Sequence, residues 1–311
     1  MTPRSGVMEE VMKSCLLFNI QKFSLHDGPG IRTTIFFKGC PLKCRWCHNP
    51  EGLNNKIEML YNQDKCTLCG ECIKRCPKSA IQMINNRIET DMSKCNLCDE
   101  CTHYCIHGAR EIAGKEYSID EIVKIALKDK IFYEESKGGV TLSGGEPVMQ
   151  IDCVEELLKR LKKENIHTAV DTSGIMPFKY YEQIYKYTDL FLFDIKLIDK
   201  EKHKKFTGLS NSIILDNLRK LSKIHNNINI RLPIIEGVNA DDEHINAFIN
   251  LIRGLGIKDI NLLPYHDISR HKYKKLNMKY DGLEMSVPTS EKMENFKLRL
   301  EDEGYTVKIG G

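Results

Sequence analysis

Eleven cysteines in three tight groups limit what this chain can fold into, because each group must bring its thiols around a common centre. The first group is Cys40, Cys44 and Cys47, spaced C-x3-C-x2-C within Gly39–His48. The second is Cys66, Cys69, Cys72 and Cys76, and the third is Cys95, Cys98, Cys101 and Cys105. These two share the spacing C-x2-C-x2-C-x3-C and repeat with a period of 29 residues. Thiolates are soft ligands that suit iron–sulfur clusters or zinc. Either centre normally takes four protein ligands, so a group of three leaves one metal position open to a small molecule. The competing reading is a zinc site completed by His48 or a distant cysteine. For the repeated groups the alternatives are two 4Fe–4S clusters or a pair of zinc knuckles. The repeated spacing and Pro77 favour clusters, although Ile106 stands where the second repeat would carry its proline. Ile73, Ala80, Ile81, Ile84 and Ile88 are too few to build a core, so bound metal must staple this segment together. Cys15 and Cys153 lie outside the groups and read as small buried hydrophobes. The pattern as a whole suggests metal binding in a reducing compartment, not a disulfide framework.

With 311 residues, 41% of them apolar, the chain has material for one large or two modest domains. A net charge of +3 with 29% charged residues argues against nucleic-acid or membrane partners. Met1 to Ser14 mixes Arg4, Glu9, Glu10 and Lys13 with no apolar core, so no signal peptide is expected. No apolar run reaches the roughly 18 residues of a membrane span. A cytoplasmic monomer is the expectation.

Outside the repeats, apolar periodicity predicts strands at 16–23, 33–37, 140–142, 167–170, 190–193, 228–235, 260–263 and 305–309. Helices are predicted near 119–127, 152–163, 178–186, 213–224, 242–255 and 290–303, the first capped by Ser118. Such alternation calls for a parallel sheet with right-handed crossovers. Polar residues collect at the strand C-termini, where parallel barrels gather their chemistry: Gly144-Gly145-Glu146, Asp171-Thr172, Asp194 and Lys196, with Arg231 within its strand, while His266 by position alone reads as an ordinary loop histidine. The glycine pair permits close backbone approach to a ligand, and the Glu146 carboxylate can accept from an ammonium. The stretch 267–288, with four lysines and Arg270, reads as a solvated loop or a docking surface.

The run His26-Asp-Gly-Pro-Gly-Ile-Arg-Thr33, followed by Cys40-Pro-Leu-Lys-Cys-Arg-Trp-Cys-His-Asn-Pro-Glu51, resembles the activating enzymes of glycyl radical enzymes. These form a branch of the radical S-adenosylmethionine (SAM) superfamily, and the resemblance covers nearly the whole chain. It implies an α/β fold: a partial (β/α)6 radical SAM barrel in segments 1–57 and 116–311, interrupted by a ferredoxin-like insert at 58–115. It implies that Cys40, Cys44 and Cys47 hold three irons of a 4Fe–4S cluster whose fourth iron is chelated by SAM. His48 would lie against the adenine, and Gly144, Gly145 and Glu146 would bind the amino group. Asp171 and Lys196 would meet the ribose and carboxylate, with Arg231 and His266 as later contacts. Asp171, Thr172 and Asp194 would line a monovalent-cation site. In the insert, the bacterial-ferredoxin pattern implies crossed ligation: Cys66, Cys69, Cys72 and Cys105 around one cluster, and Cys95, Cys98, Cys101 and Cys76 around the other.

The implied activity is that of an oxidoreductase with three clusters. A flavodoxin or ferredoxin supplies an electron, SAM is cleaved to methionine and a 5′-deoxyadenosyl radical, and the radical takes the Cα hydrogen of one glycine in a partner dehydratase, lyase or decarboxylase. No side chain need act as a general base. The competing classes are a radical SAM enzyme acting on a small molecule and a ferredoxin-like electron carrier.

Overall fold

Long apolar runs separated by amphipathic stretches produce a sheet with helices alternating along the chain. The computed structural model describes residues 13–282 and 284–310. Residues 1–12, most of the stretch expected to lack a signal peptide, lie outside the described part. Strands β1 (Ser14–Ser24) and β2 (Arg32–Phe37) form an antiparallel pair, with Ile20 opposite Ile35. The cysteine-rich segment follows: β3 (Glu58–Tyr61), α1 (Glu71–Arg75), β4 (Ile81–Ile84), β5 (Arg87–Thr90), α2 (Glu100–His103) and β6 (Arg110–Ala113). β3 and β6 pair antiparallel and close its base, while β4 and β5 form a hairpin.

The chain then rejoins the main sheet through β7 (Lys115–Ser118), which pairs with β1. Ser118 and Glu121 form a reciprocal capping box that starts α3 (Ile119–Leu127). After α4 (Lys130–Ser136), the alternation runs β8 (Gly139–Gly144), α5 (Ile151–Lys163), β9 (Thr168–Thr172), α6 (Phe178–Ile184) and β10 (Leu190–Asp194). It continues through α7 (Lys200–Thr207), α8 (Ser212–Leu221), β11 (Ile228–Ile234), α9 (Asp242–Ile252) and β12 (Asp259–Pro264). The chain closes with α10 (Arg270–Lys275), α11 (Ser290–Asp302) and β13 (Thr306–Ile309).

The main sheet has the order β13-β12-β11-β10-β9-β8-β2-β1-β7. Every pairing from β2 to β13 is parallel, and the two on the β1 side are antiparallel. β7 and β13 end the sheet without pairing to each other, so the barrel is open, as the sequence implies. The parallel strands are largely buried and carry most of the apolar core, with polar residues toward their ends. Ile35, Leu142, Val170, Phe193, Ile230 and Leu232 are completely buried, and α5 packs Val154, Leu157, Leu158 and Leu161 against them.

The 29-residue repeat is legible in the backbone. Left-handed residues recur at Leu68 and Leu97, Gly70 and Asp99, and Ser79 and Gly108. The amides of Ala80 and Ala109 donate to the sulfurs of Cys76 and Cys105, at 3.3 Å in each half.

One expectation requires correction. Cys15 and Cys153 are buried, but they are paired as a disulfide joining β1 to α5. Their Cα atoms are 5.7 Å apart, within the ordinary range for such a bond. Packing of α5 on β1 creates the pair across 138 residues, a separation that carries no spacing signal.

Candidate functional site

The cluster loop hangs between β2 and the ends of the neighbouring strands. Backbone bonds fix it: the amides of Gly39 and Cys40 donate to the carbonyls of Gly52 and Leu53 at 2.8 and 3.1 Å. The amides of Lys43 and Arg45 donate to Thr207 and Phe206, tying the loop to α7. Trp46 anchors it in an apolar cluster with Leu197, Phe206, Ile235 and Tyr265. Lys38, fully buried, donates to the Glu51 carbonyl and pairs with Glu58 at 2.9 Å.

Cys40, Cys44 and Cys47 face a cavity of about 180 Å³. The opposite wall carries Gly144, Gly145, Asp171, Thr172, Asp194, Lys196 and Arg231 from the ends of β8 to β11, and His48 lies at the rim. Nine residues expected from the sequence to bind the cluster or SAM thus converge on one space, with the cysteines separated from the strand-end residues by about 100 to 190 positions along the chain. His266 stands just outside, exposed, with its ring stacked 4.0 Å from that of His48. Nε2 of His48 lies 3.1 Å from the His266 carbonyl oxygen. Burial, reinforced by His266, pushes the His48 imidazole down to about 4, so it is neutral.

Glu146 departs from its expected role. Its side chain is completely buried and does not reach the cavity. Oε2 accepts from the amide and hydroxyl of Ser173 at 2.9 and 2.6 Å, and Oε1 accepts from the Thr172 hydroxyl at 2.7 Å and the Val148 amide at 3.3 Å. With these four bonds made, the carboxylate holds the end of β9 in place and has no lone pair directed at an ammonium. The glycine pair likewise serves the protein itself. A Cβ on Gly145 would lie 2.4 Å from the Gly39 carbonyl oxygen, so only glycine lets β8 approach the cluster loop this closely.

The charged wall is a linked quartet. Arg231 lies 3.2 Å from Asp171 and 3.7 Å from Asp194, while Lys196 donates to Asp194 at 2.5 Å. Ser143 donates to Asp171 at 2.7 Å. Burial pushes Asp171 up to about 6 despite Arg231. For Lys196, burial works against the charge, but Asp194 and Cys44 overcome it and raise the ammonium. Asp171 Oδ1, Asp194 Oδ1 and the Nε and Nη1 of Arg231 are buried without a hydrogen-bond partner. Buried polar atoms are rarely left so, and a polar ligand in the cavity would satisfy them. The Arg231 guanidinium faces both carboxylates, and the Thr172 hydroxyl donates to Glu146.

The thiols fit a metal centre. Burial pushes Cys44 up to about 12 and raises Cys40 and Cys47, so their thiolates require a bound cation. In the cysteine-rich segment, one small cavity is lined by Cys66, Cys69, Cys72 and Cys105, and another by Cys76, Cys95, Cys98 and Cys101. Each cavity thus takes three cysteines from one repeat and one from the other, the arrangement that the bacterial-ferredoxin spacing implies. Among the described residues no three His, Cys, Asp or Glu side chains close on a single ion.

The profile of the radical SAM superfamily matches residues 92–249, just over half of the chain. A 4Fe-4S dicluster domain matches 58–113 and a 4Fe-4S single cluster domain matches 26–85. The trans-4-hydroxy-L-proline dehydratase activating enzyme of Clostridioides difficile is 52% identical over 299 residues, covering 95% of this chain and 99% of that one. The chain belongs to the radical SAM superfamily, among the activating enzymes of glycyl radical enzymes. It is therefore an enzyme that generates a radical, with iron–sulfur clusters and SAM as its cofactors. The choline trimethylamine-lyase activating enzyme of Oleidesulfovibrio alaskensis is 38% identical, covering 87% of this chain and 89% of that one. Among solved structures, Streptococcus suis SuiB bound to precursor peptide SuiA superposes with a TM-score of 0.52 at 13% identity, over 88% of this chain and 46% of that one, a likeness of fold.

Several members of the site escaped the sequence reading. Ser143 and Ser173 orient Asp171 and Glu146, and each sits beside a residue already singled out. α10 gave no apolar signal, yet Lys272 donates to the His48 carbonyl at 3.0 Å and pairs with Glu51 at 2.7 Å. Tyr273 donates to the Cys47 carbonyl at 3.0 Å. Lys275 meets Glu111 of the insert at 3.1 Å, so α10 links the insert to the cluster loop. Among the described residues no helix is long and apolar enough to cross a membrane.

Proposed function

We propose that this enzyme activates a glycyl radical dehydratase of the hydroxyproline type, using three 4Fe–4S clusters. The observation that carries the reading is the convergence of Cys40, Cys44 and Cys47 with the Asp171–Arg231–Asp194–Lys196 quartet on one cavity. The partner is taken from the relative matched at 52% over almost the full length of both chains. When bound, the reduced cluster and SAM supply a 5′-deoxyadenosyl radical that takes a hydrogen atom from a glycine Cα.

The residues of this chain bind and orient. Cys40, Cys44 and Cys47 hold three irons. Arg231 and Lys196 present positive charge to the SAM carboxylate, Asp171 and Asp194 offer acceptors to the ribose and ammonium, and the paired rings of His48 and His266 offer a face to the adenine. Gly144 and Gly145 keep the wall thin, and Glu146 and Thr172 fix its position from behind. The open sheet leaves a side through which a glycine loop can reach the cavity. Segment 58–115 is the insert, its base closed by β3 and β6, and it carries two clusters on the crossed cysteine sets. A flavodoxin or ferredoxin donates the electron, and the enzyme works as a cytoplasmic monomer.

The test is anaerobic reconstitution, reduction with SAM, and quantitation of 5′-deoxyadenosine, beside a chain carrying Cys40→Ala, Cys44→Ala and Cys47→Ala. Product that depends on those cysteines is expected, followed by a glycyl EPR doublet on a hydroxyproline dehydratase. SAM cleavage without that doublet, when choline or isethionate lyases do give it, would reassign the partner. Absence of cleavage from a chain holding about twelve irons would sink the reading.

A further inference from the structure

The two halves of the insert are not equivalent at one buried position. Adding the 29-residue period to Ile81 gives Arg110. Ile81 is 5% exposed and lines the cavity of Cys76, Cys95, Cys98 and Cys101. Arg110 is 3% exposed and lines the other cavity, with Cys66, Cys69, Cys72 and Cys105. A repeat that tolerates isoleucine has no packing need for a buried guanidinium, and burying an unpaired charge is costly. The Arg110 Nη2 donates to the Thr90 hydroxyl at 2.7 Å, but its Nε and Nη1 have no hydrogen-bond partner. Its guanidinium lies 6.0 Å from the centre of the Tyr61 ring, and the Tyr61 hydroxyl is also buried and unpartnered at the same cavity.

We propose that Arg110 is a redox-tuning residue, a buried cation at the cavity of Cys66, Cys69, Cys72 and Cys105 that stabilises the reduced form of the cluster held there. The proposal rests on the reading that both sets hold 4Fe–4S clusters. Each one-electron reduction, by a donor of the flavodoxin or ferredoxin class, adds one negative charge and requires no proton. A fixed guanidinium with two free N–H donors favours that added charge over the oxidised form, and charge and hydrogen bonds to sulfur are the levers that set cluster potential. The isoleucine at the equivalent position leaves the other cavity without such a charge.

The test is a potentiometric EPR titration of the full chain with Cys40→Ala, Cys44→Ala and Cys47→Ala, so that only the insert contributes, with and without Arg110→Ile. The expected result is a tenfold or larger loss of the reduced form at fixed potential for at least one cluster. That corresponds to a shift of about 59 mV to more negative values for a one-electron couple. Arg110→Lys should recover part of it. Two loaded clusters with unmoved midpoints in Arg110→Ile would overturn the proposal. If that variant does not load, the unsubstituted chain decides: labelled with 15N-arginine, its reduced insert should show guanidinium coupling by ENDOR, and absence of coupling would overturn it. If that chain holds no insert clusters by iron and sulfide analysis, the two-cluster reading fails, and this proposal with it.

Discussion

At the scale of single residues, the site depends on groups that never touch a substrate. Glu146 accepts four hydrogen bonds in a place with no water to replace them. Glu146→Gln keeps the shape but turns one acceptor into a donor facing another donor. Leaving one buried donor unsatisfied costs about 1–3 kcal/mol. Urea unfolding of the reconstituted enzyme should show that loss, and SAM affinity should fall with it because the end of β9 is released. Undiminished stability would show that Glu146 is not the brace the geometry makes it. A second buried group sets a pH limit. Burial in α9 pushes His244 down to about 4, with Asp241 opposing and Lys202 adding to the effect. The unfolded chain takes up this proton near pH 6.5, whereas the folded chain resists until about pH 4. Stability is therefore intact above 6.5 and lost as pH falls between the two values, by at most about 1.4 kcal/mol per unit. The difference between the natural chain and His244→Leu, measured by urea unfolding at pH 7 and pH 5, should shrink toward the acid side. A difference independent of pH would remove His244 as the cause.

At the scale of elements, α10 is where sequence and structure part furthest. Its residues, Arg-His-Lys-Tyr-Lys-Lys, carry a single buried side chain, Tyr273, so no apolar periodicity announces it. The same holds for α7, whose polar sequence hides a helix that buries His203 and Phe206. Both are held by tertiary contacts that pattern reading cannot register. Lys272→Met would remove the Glu51 ion pair and the bond to the His48 carbonyl while leaving Tyr273 in place. A hydrogen bond to a charged group contributes about 1.5–3 kcal/mol, so cluster iron should leave to a chelator roughly tenfold faster. An unchanged release rate would make α10 a bystander. The parallel strands of the main sheet, by contrast, were legible almost to their ends, because a largely buried strand is rich in apolar residues, whereas the short, half-exposed β7 was not foreseen. The cysteine sets were legible because cluster ligation fixes residue type and spacing together. The Asp171–Arg231–Asp194–Lys196 quartet was legible as separate strand-end residues. Its internal pairing was not, since it depends on the order of β9, β10 and β11 in the sheet. Glu146 was misread for a related reason: sequence placed it at the right loop but could not tell which way its side chain turns.

At the scale of the whole molecule, the two kinds of cysteine site differ in their access to solvent. Cys69 and Cys98 are exposed, one in each insert set, whereas Cys40, Cys44 and Cys47 line a deep cavity that SAM and the glycine loop must also enter. A protein donor cannot follow them in, so the exposed side of the insert is where it can bring its own redox centre close. α10 then joins that insert to the cluster loop through Glu111, Lys275 and Lys272. A small reductant is free of this restriction. Changing Cys69 and Cys98 to Ala should therefore separate the two donors. With dithionite, 5′-deoxyadenosine formation should persist within a few-fold, since the site at Cys40, Cys44 and Cys47 is untouched. With reduced flavodoxin or ferredoxin it should fall at least tenfold, roughly the effect of a 1.4 kcal/mol rise in barrier. Equal rates with both donors would mean that electrons bypass the insert, leaving it the role of a surface that positions the partner enzyme. Loss with both would mean that the insert supports the fold of the cluster loop itself, and the Lys272→Met chelation rate would then rise in parallel.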